Sequence, residues 1–106
     1  MPKRENHPLT NREDSPHYFS SGSESTIERF ECKYTVSQLI AWAEITEAKY
    51  NDPGRKNKGQ EEKDIRKALS YKRYKEMLQE LVKRSPTATE MTPKRVYEIL
   101  NIKWNY

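Results

Sequence analysis

The sequence predicts an all-α protein, a compact bundle of three to four helices with an extended N-terminal arm. Three observations carry that prediction. Apolar residues recur at helical spacing between Val36 and Ile45 and again between Ile65 and Val82. Helix-start signatures precede the apolar stretches at Ser25, Thr35 and Thr92, and breaker sequences follow at Asn51-Asp52-Pro53-Gly54 and Ser85-Pro86. No strand pattern and no internal repeat stands out.

The amount of material fits one domain. The chain has 106 residues, and single domains commonly run to about 100–150. Ile, Leu, Val and Phe together number 17 of 106 residues, about 16% and so under the roughly 20% below which highly charged chains stay disordered. The net charge is only +4, and seven Tyr and two Trp add burial capacity. A small folded core beside a substantial unstructured part is the expectation.

Residues 1–22 are expected to form the extended or disordered arm. Pro2, Pro8 and Pro16 interrupt it, nothing is periodic, and Ser15-Pro16-His17-Tyr18-Phe19 is the cluster with something to pack. Residues 23–84 are expected to form the helical domain. Ser25-Thr26-Ile27-Glu28 fits a capping box, with Ile27 and Phe30 as the buried pair of a short helix. Thr35-Val36-Ser37-Gln38 repeats the signature, and Val36, Leu39, Ile40 and Ala43 follow at helical spacing, broadened by Trp42 and Ile45. That helix should end near Tyr50.

A third helix should run from about Gln60 to Arg84, with acidic residues complementing the dipole of its first turn. Its apolar positions, among them Ile65, Leu69, Tyr71, Tyr74 and Leu78, face more than one direction, as in a helix with two partners. Residues 85–106 read as a linker, a short helix opened by Thr92-Pro93, and a tail. Trp104 and Tyr106 predict that the tail docks on the body or on a second subunit.

Several function classes are excluded or disfavoured. No run approaches the roughly 20 apolar residues of a membrane span, and the first eight residues lack the apolar stretch of a signal peptide. Cys32 stands alone, so no internal disulfide or Cys-built zinc site is possible, and it is expected as a buried structural thiol. His7 and His17 are too few for a histidine metal cage. A soluble, cytoplasmic protein without a metal or resident cofactor is the expectation. No phosphate-cradling glycine motif and no nucleophile elbow is present.

Charge is unevenly placed. Residues 1–22 are neutral, residues 23–50 carry −2, and residues 51–106 carry +6, most of it between Arg55 and Lys75. A local cationic surface attracts phosphates. The segment able to carry chemistry therefore runs from Lys49-Tyr50 to Tyr71. Arg55, Lys56 and Lys58 lie in a glycine-flanked turn just before a helix N-terminus, where free N–H groups favour an anion. Asp64, Lys67 and Tyr71 are neighbours on one helix face. They predict a polar pocket between the second and third helices, floored by Tyr50 and Tyr71. His17 is the arm's candidate acid–base group beside His7.

These residues in this order resemble a small helical domain family widespread in tailed phages. The resemblance rests on His17-Tyr18, Ile27, Thr35-Val36, Lys49-Tyr50, Arg55-Lys56, Asp64-Ile65, Lys67-Ala68 and Tyr71, and covers roughly residues 15–80. The chain departs from the family pattern at Thr46 and at Asn51-Asp52-Pro53. Most members have no assigned activity, but the family includes the C-terminal part of a coliphage nucleotide kinase that lacks a P-loop. The resemblance implies a phage origin and a place in nucleotide metabolism. On this reading Lys49, Arg55, Lys56 and Lys67 hold phosphates, Tyr50 and Tyr71 contact the nucleoside, and His17 and Tyr18 close one side, with Asp64 alongside. Phosphorylation of the deoxynucleoside monophosphate, with ATP as co-substrate, is the further option. The alternative is an early phage protein that binds and modulates a host bacterial protein without catalysis. Nucleic-acid binding ranks lower, because only Tyr71 and Tyr74 interleave with the basic face. A chain this small would build a nucleotide site most readily between subunits, as a homo-oligomer.

Overall fold

The computed structural model describes residues 5–9, 26–54 and 61–105. The expected capping Ser25, the helix start at Gln60, and His17, Tyr18, Arg55 and Lys56 lie outside the described residues. The elements are β1 (Glu5–Asn6), α1 (Thr26–Lys33), α2 (Val36–Tyr50), α3 (Glu61–Arg84), a 3-10 helix (Pro86–Glu90), α4 (Pro93–Leu100) and β2 (Trp104–Asn105). The fold is all-α, with one short parallel bridge, Glu5 opposite Trp104 and Asn6 opposite Asn105. That bridge was not expected, since two residues leave no period to read.

Local chemistry sets each boundary. Thr35 caps α2 by a complete capping box: its hydroxyl accepts from the Gln38 N–H, and the Gln38 side chain accepts from the Thr35 N–H. Asp52 follows the helix and its carboxylate accepts from the Gly54 N–H at 2.9 Å, an Asx turn that reverses the chain. α3 carries Glu61, Glu62 and Asp64 in its first turn and Lys83 and Arg84 in its last, each complementing the local end of the dipole.

Thr92 caps α4 through the Arg95 N–H, with Pro93 at the first helical position. Asn101 then adopts φ 56°, ψ 43°. The Ile102 N–H donates to the Tyr97 carbonyl at 2.8 Å and the Asn101 N–H to the Glu98 carbonyl at 3.4 Å. This is a Schellman ending with Asn in the left-handed position, which its short polar side chain tolerates. It turns the tail back along α4 toward β1.

Helices α2 and α3 form the central hairpin. Val36, Leu39 and Ala43 of α2 meet Tyr71, Tyr74, Leu78 and Leu81 of α3, all buried, with Ile27, Leu9, Ala88, Val96 and Tyr97 completing the core. Leu78 is fully buried, and removing such a side chain to Ala costs about 2–5 kcal/mol. The expected linker at Ser85–Thr89 is instead a 3-10 turn with Ala88 wholly buried. The Val36 N–H donates to the Met91 carbonyl at 2.8 Å, joining that turn to the start of α2.

Several expectations about packing need correction. Ile45 is 70% exposed, Ile65 66% and Leu69 42%. On α3 the buried line is Asp64, Ala68, Tyr71, Tyr74 and Leu78, and Ile65 and Leu69 each sit one residue, about 100°, round from it. Cys32 is exposed, not buried. On α1 the inward positions are Ile27 and Glu31, four residues apart, which turns Cys32 outward and leaves Phe30 half-buried. Within the expected arm, residues 7–9 are packed into the body: His7 and Leu9 are 2% and 1% exposed.

Candidate functional site

Two polar constellations occupy different parts of the bundle. The first lies where α2 ends and α3 begins, the mouth of the hairpin. Lys49 and Tyr50 close α2, and Asp64, Lys67 and Tyr71 line the first three turns of α3. The Tyr50 and Tyr71 rings stack at 5.9 Å between centroids with 17° between planes. Tyr71 is buried and packs edge-on against Trp42 at 5.3 Å. It supports Tyr50 from beneath. Tyr50 itself is half-buried and keeps open aromatic surface.

The Lys49 ammonium lies 5.2 Å from the Tyr50 ring centroid and the Lys67 ammonium 5.3 Å from the same centroid. Each contact is a cation–π attraction worth about 0.5–1 kcal/mol at an exposed site. Together they bring two like charges to one ring, and a nearby anion would ease their repulsion. Asp64 is 7% exposed in the first helical turn, where a carboxylate complements the dipole. Further along the hairpin the Lys75 ammonium donates to the Glu47 carboxylate at 3.0 Å. That hydrogen bond raises the Lys75 pKa above its ordinary 10.5, against the opposing effect of burial and with added help from the charges of Glu47, Glu44 and Glu76.

Of the residues expected to form a site, the structure thus brings Lys49, Tyr50, Lys67 and Tyr71 together, with Asp64 in the same turns of α3. His17, Tyr18, Arg55 and Lys56 belong to segments outside the described residues. The expected tail docking is intramolecular: Trp104 packs on Tyr97 at 5.9 Å and on His7 at 5.5 Å.

The second constellation was missed by sequence reasoning. One carboxylate oxygen of Glu31 (α1) accepts from the His7 Nε2 at 2.9 Å, from the Tyr74 hydroxyl (α3) at 2.7 Å and from the Tyr97 hydroxyl (α4) at 2.7 Å. Glu31 is 1% exposed. A buried carboxylate is expensive unless its oxygens are bonded, and here donors from three different elements satisfy it. The Leu9 N–H donates to His7 Nδ1 at 3.1 Å. That nitrogen therefore supplies a lone pair, and in the neutral ring the proton resides on Nε2, facing Glu31. Tyr74 and Trp104 flank the imidazole at 5.1 and 5.5 Å. The only sequence signal was Glu31 standing four residues after Ile27, at an inward position. Nothing in the local sequence ties His7 to it. Among the described residues no cluster of three or more His, Cys, Asp or Glu could hold a metal ion.

Comparison with known proteins finds no family model, no curated relative and no solved structure that matches this chain.

Proposed function

We propose that the hairpin mouth is a binding site for a phosphate-bearing ligand, a deoxynucleoside monophosphate best of all. The observation that carries this reading is the convergence of Lys49 and Lys67 on the Tyr50 ring. Two ammoniums supply countercharge to a phosphate as charge-assisted hydrogen-bond donors, and the half-buried Tyr50 ring beside them gives a nucleobase apolar surface to pack against. Arg55 and Lys56 lie between the two halves of the mouth in sequence, and the resemblance assigns them to phosphate binding as well. The resemblance to the phage domain family points to the same ligand class. Phosphoryl transfer from ATP is the further step that resemblance implies, and there positioning and charge stabilisation would carry most of the catalysis.

Calorimetric titration of the full chain with dTMP and with inorganic phosphate tests the reading. Saturable dTMP binding, weakened in Lys49→Ala and Lys67→Ala, is the expected result. Binding that both variants leave unchanged would remove the mouth as the site. Repeating the titration with ATP present, and following ADP release, separates binding from transfer.

A second reading rests on the exposed apolar residues. Ile45, Ile65 and Leu69 face solvent on the two hairpin helices, and a shallow groove of about 420 Å³ is lined by Phe30, Tyr34, Leu39 and Trp42. Uncovered apolar surface of this kind suits an early phage protein that docks on a host protein. On that reading dTMP does not bind, and Ile45→Ser with Ile65→Ser abolishes the protein contact while leaving the fold intact.

A further inference from the structure

The basic side chains of the helices fall into two groups. Lys75 lies 3.0 Å from Glu47, Lys83 3.7 Å from Glu80 and Arg95 3.6 Å from Glu98. Among the described residues, no carboxylate comes within ion-pairing distance of Lys49, Lys63, Lys67 or Arg73. These four cluster at and beyond the hairpin mouth. Arg66 stands in the same stretch but is already engaged with a neighbour, so it is not counted with them.

Their order along α3 makes a row. Lys63, Arg66, Ser70 and Arg73 follow at intervals of three and four residues, the spacing of one helix face. Lys67 joins that row to the mouth, its ammonium 5.3 Å from the Tyr50 ring centroid. Lys63 and Arg73 are exposed, and ten residues of helix separate them by about 15 Å. The only acidic residue between them is Asp64, which is 7% exposed and faces inward with Ala68 and Tyr71. Tyr71 and Tyr74, the rings that the sequence sets among these bases, are 1% and 0% exposed and do not interrupt the row. The aromatic surface beside it belongs to half-buried Tyr50, at the mouth.

The charge is thus doubled at the mouth and single along the row. A terminal phosphate monoester carries about −1.5 to −2 charges at pH 7, and each internal phosphate of a nucleic acid carries one. Lys49 with Lys67 matches the first, and Lys63 and Arg73 each match the second. A base that packs against Tyr50 must be unpaired, which a duplex does not offer. We propose that this face of α3 is a track for a single-stranded nucleic acid whose 5′-phosphorylated end occupies the hairpin mouth. The proposal rests on the mouth as a phosphate site and extends its ligand from a mononucleotide to the end of a strand.

The test is fluorescence anisotropy of the full chain with a 5′-phosphorylated oligothymidylate of about eight nucleotides, beside calorimetry with dTMP. The oligonucleotide should bind more tightly than dTMP. The double variant Lys63→Ala with Arg73→Ala should weaken it about tenfold and lower the slope of log affinity against log salt by about 1.4, two single-strand phosphate contacts. The same variant should leave dTMP affinity unchanged. Removing the 5′-phosphate should weaken oligonucleotide binding to the wild type and have much less effect on Lys67→Ala. Oligouridylate of equal length decides between DNA and RNA as the strand, and tighter binding of either upholds the track. If dTMP binds but the oligonucleotide binds no tighter, or ignores the double variant, the track is overturned and the mouth stands. Inorganic polyphosphate binding as tightly as the oligonucleotide would show undiscriminating attraction for polyanions and would also overturn it. Absence of dTMP binding removes the mouth itself, and this proposal with it.

Discussion

The hairpin mouth and the Glu31 clasp both gather polar and aromatic side chains, yet they are built in opposite ways. At the mouth, two positive charges meet one half-buried ring and Lys49 stays in contact with water. At the clasp, the Glu31 carboxyl sits at 1% exposure and accepts from His7, from Tyr74 of α3 and from Tyr97 of α4. The described part of the mouth sets two lysines against the single carboxylate of Asp64 and leaves Lys49 exposed, which suits it to an anionic ligand. The clasp is satisfied and dry, which suits it to holding elements together. Between them runs a relay of ring contacts, from His7 through Tyr74, Trp42 and Tyr71 to Tyr50, so the same core supports both.

If that contrast is right, substitutions at the two ends must separate stability from binding. The largest expected effect is at the clasp. Glu31→Ala strands three buried donors and should cost about 3–5 kcal/mol, read by urea or thermal unfolding. A loss below about 1 kcal/mol would mean that the network contributes little net stability. Next come Tyr74→Phe and Tyr97→Phe, each removing one hydrogen bond to a charged group and each expected to cost about 1.5–3 kcal/mol. Because both phenols serve one oxygen, the double variant should lose less or more than the sum of the two, and a double-mutant cycle measures that coupling.

At the mouth the signs reverse. Lys49→Ala and Lys67→Ala should each cost no more than about 1 kcal/mol of stability, the worth of one cation–π contact. Each should weaken phosphate-ligand affinity about tenfold, since one charge-assisted hydrogen bond contributes about 1.5 kcal/mol.

The smallest effect concerns pH. The Glu47 carboxylate raises the Lys75 pKa in the folded chain. The stabilisation it brings is fully present below the ordinary lysine value of 10.5 and fades as pH rises through the raised folded value. Lys75→Met should flatten that alkaline loss of stability. An unchanged alkaline limb in the variant would assign the loss to other groups.

The two ends also differ in how much of them was legible in the sequence. The helices were, because caps and breakers are local: Thr35 with Gln38, Asn51-Asp52-Pro53-Gly54 and Thr92-Pro93 each act within four residues. The mouth could be assembled from the sequence for a related reason. Lys49-Tyr50 ends one helix, Lys67 and Tyr71 are one turn apart on the next, and two consecutive helices packed side by side leave little choice of where they meet. The clasp was illegible because its partners are 24, 43 and 66 positions apart from Glu31. Its acceptor is a glutamate, a residue that charge patterning assigns to solvent. Ile65 and Leu69 misled in the opposite sense. Their hydrophobicity suggested burial, yet the polar Asp64 holds the inward position beside Ile65.

The central claim is that the hairpin mouth, and not the clasp, is where a phosphate ligand binds. It is tested most directly by amide chemical-shift mapping of the full chain during a dTMP titration. The account predicts saturable shifts at Lys49, Tyr50 and Lys67, with Glu31, Tyr74 and Tyr97 unmoved. Shifts centred on the clasp, or none at Lys49, Tyr50 and Lys67 at saturating dTMP, would contradict it.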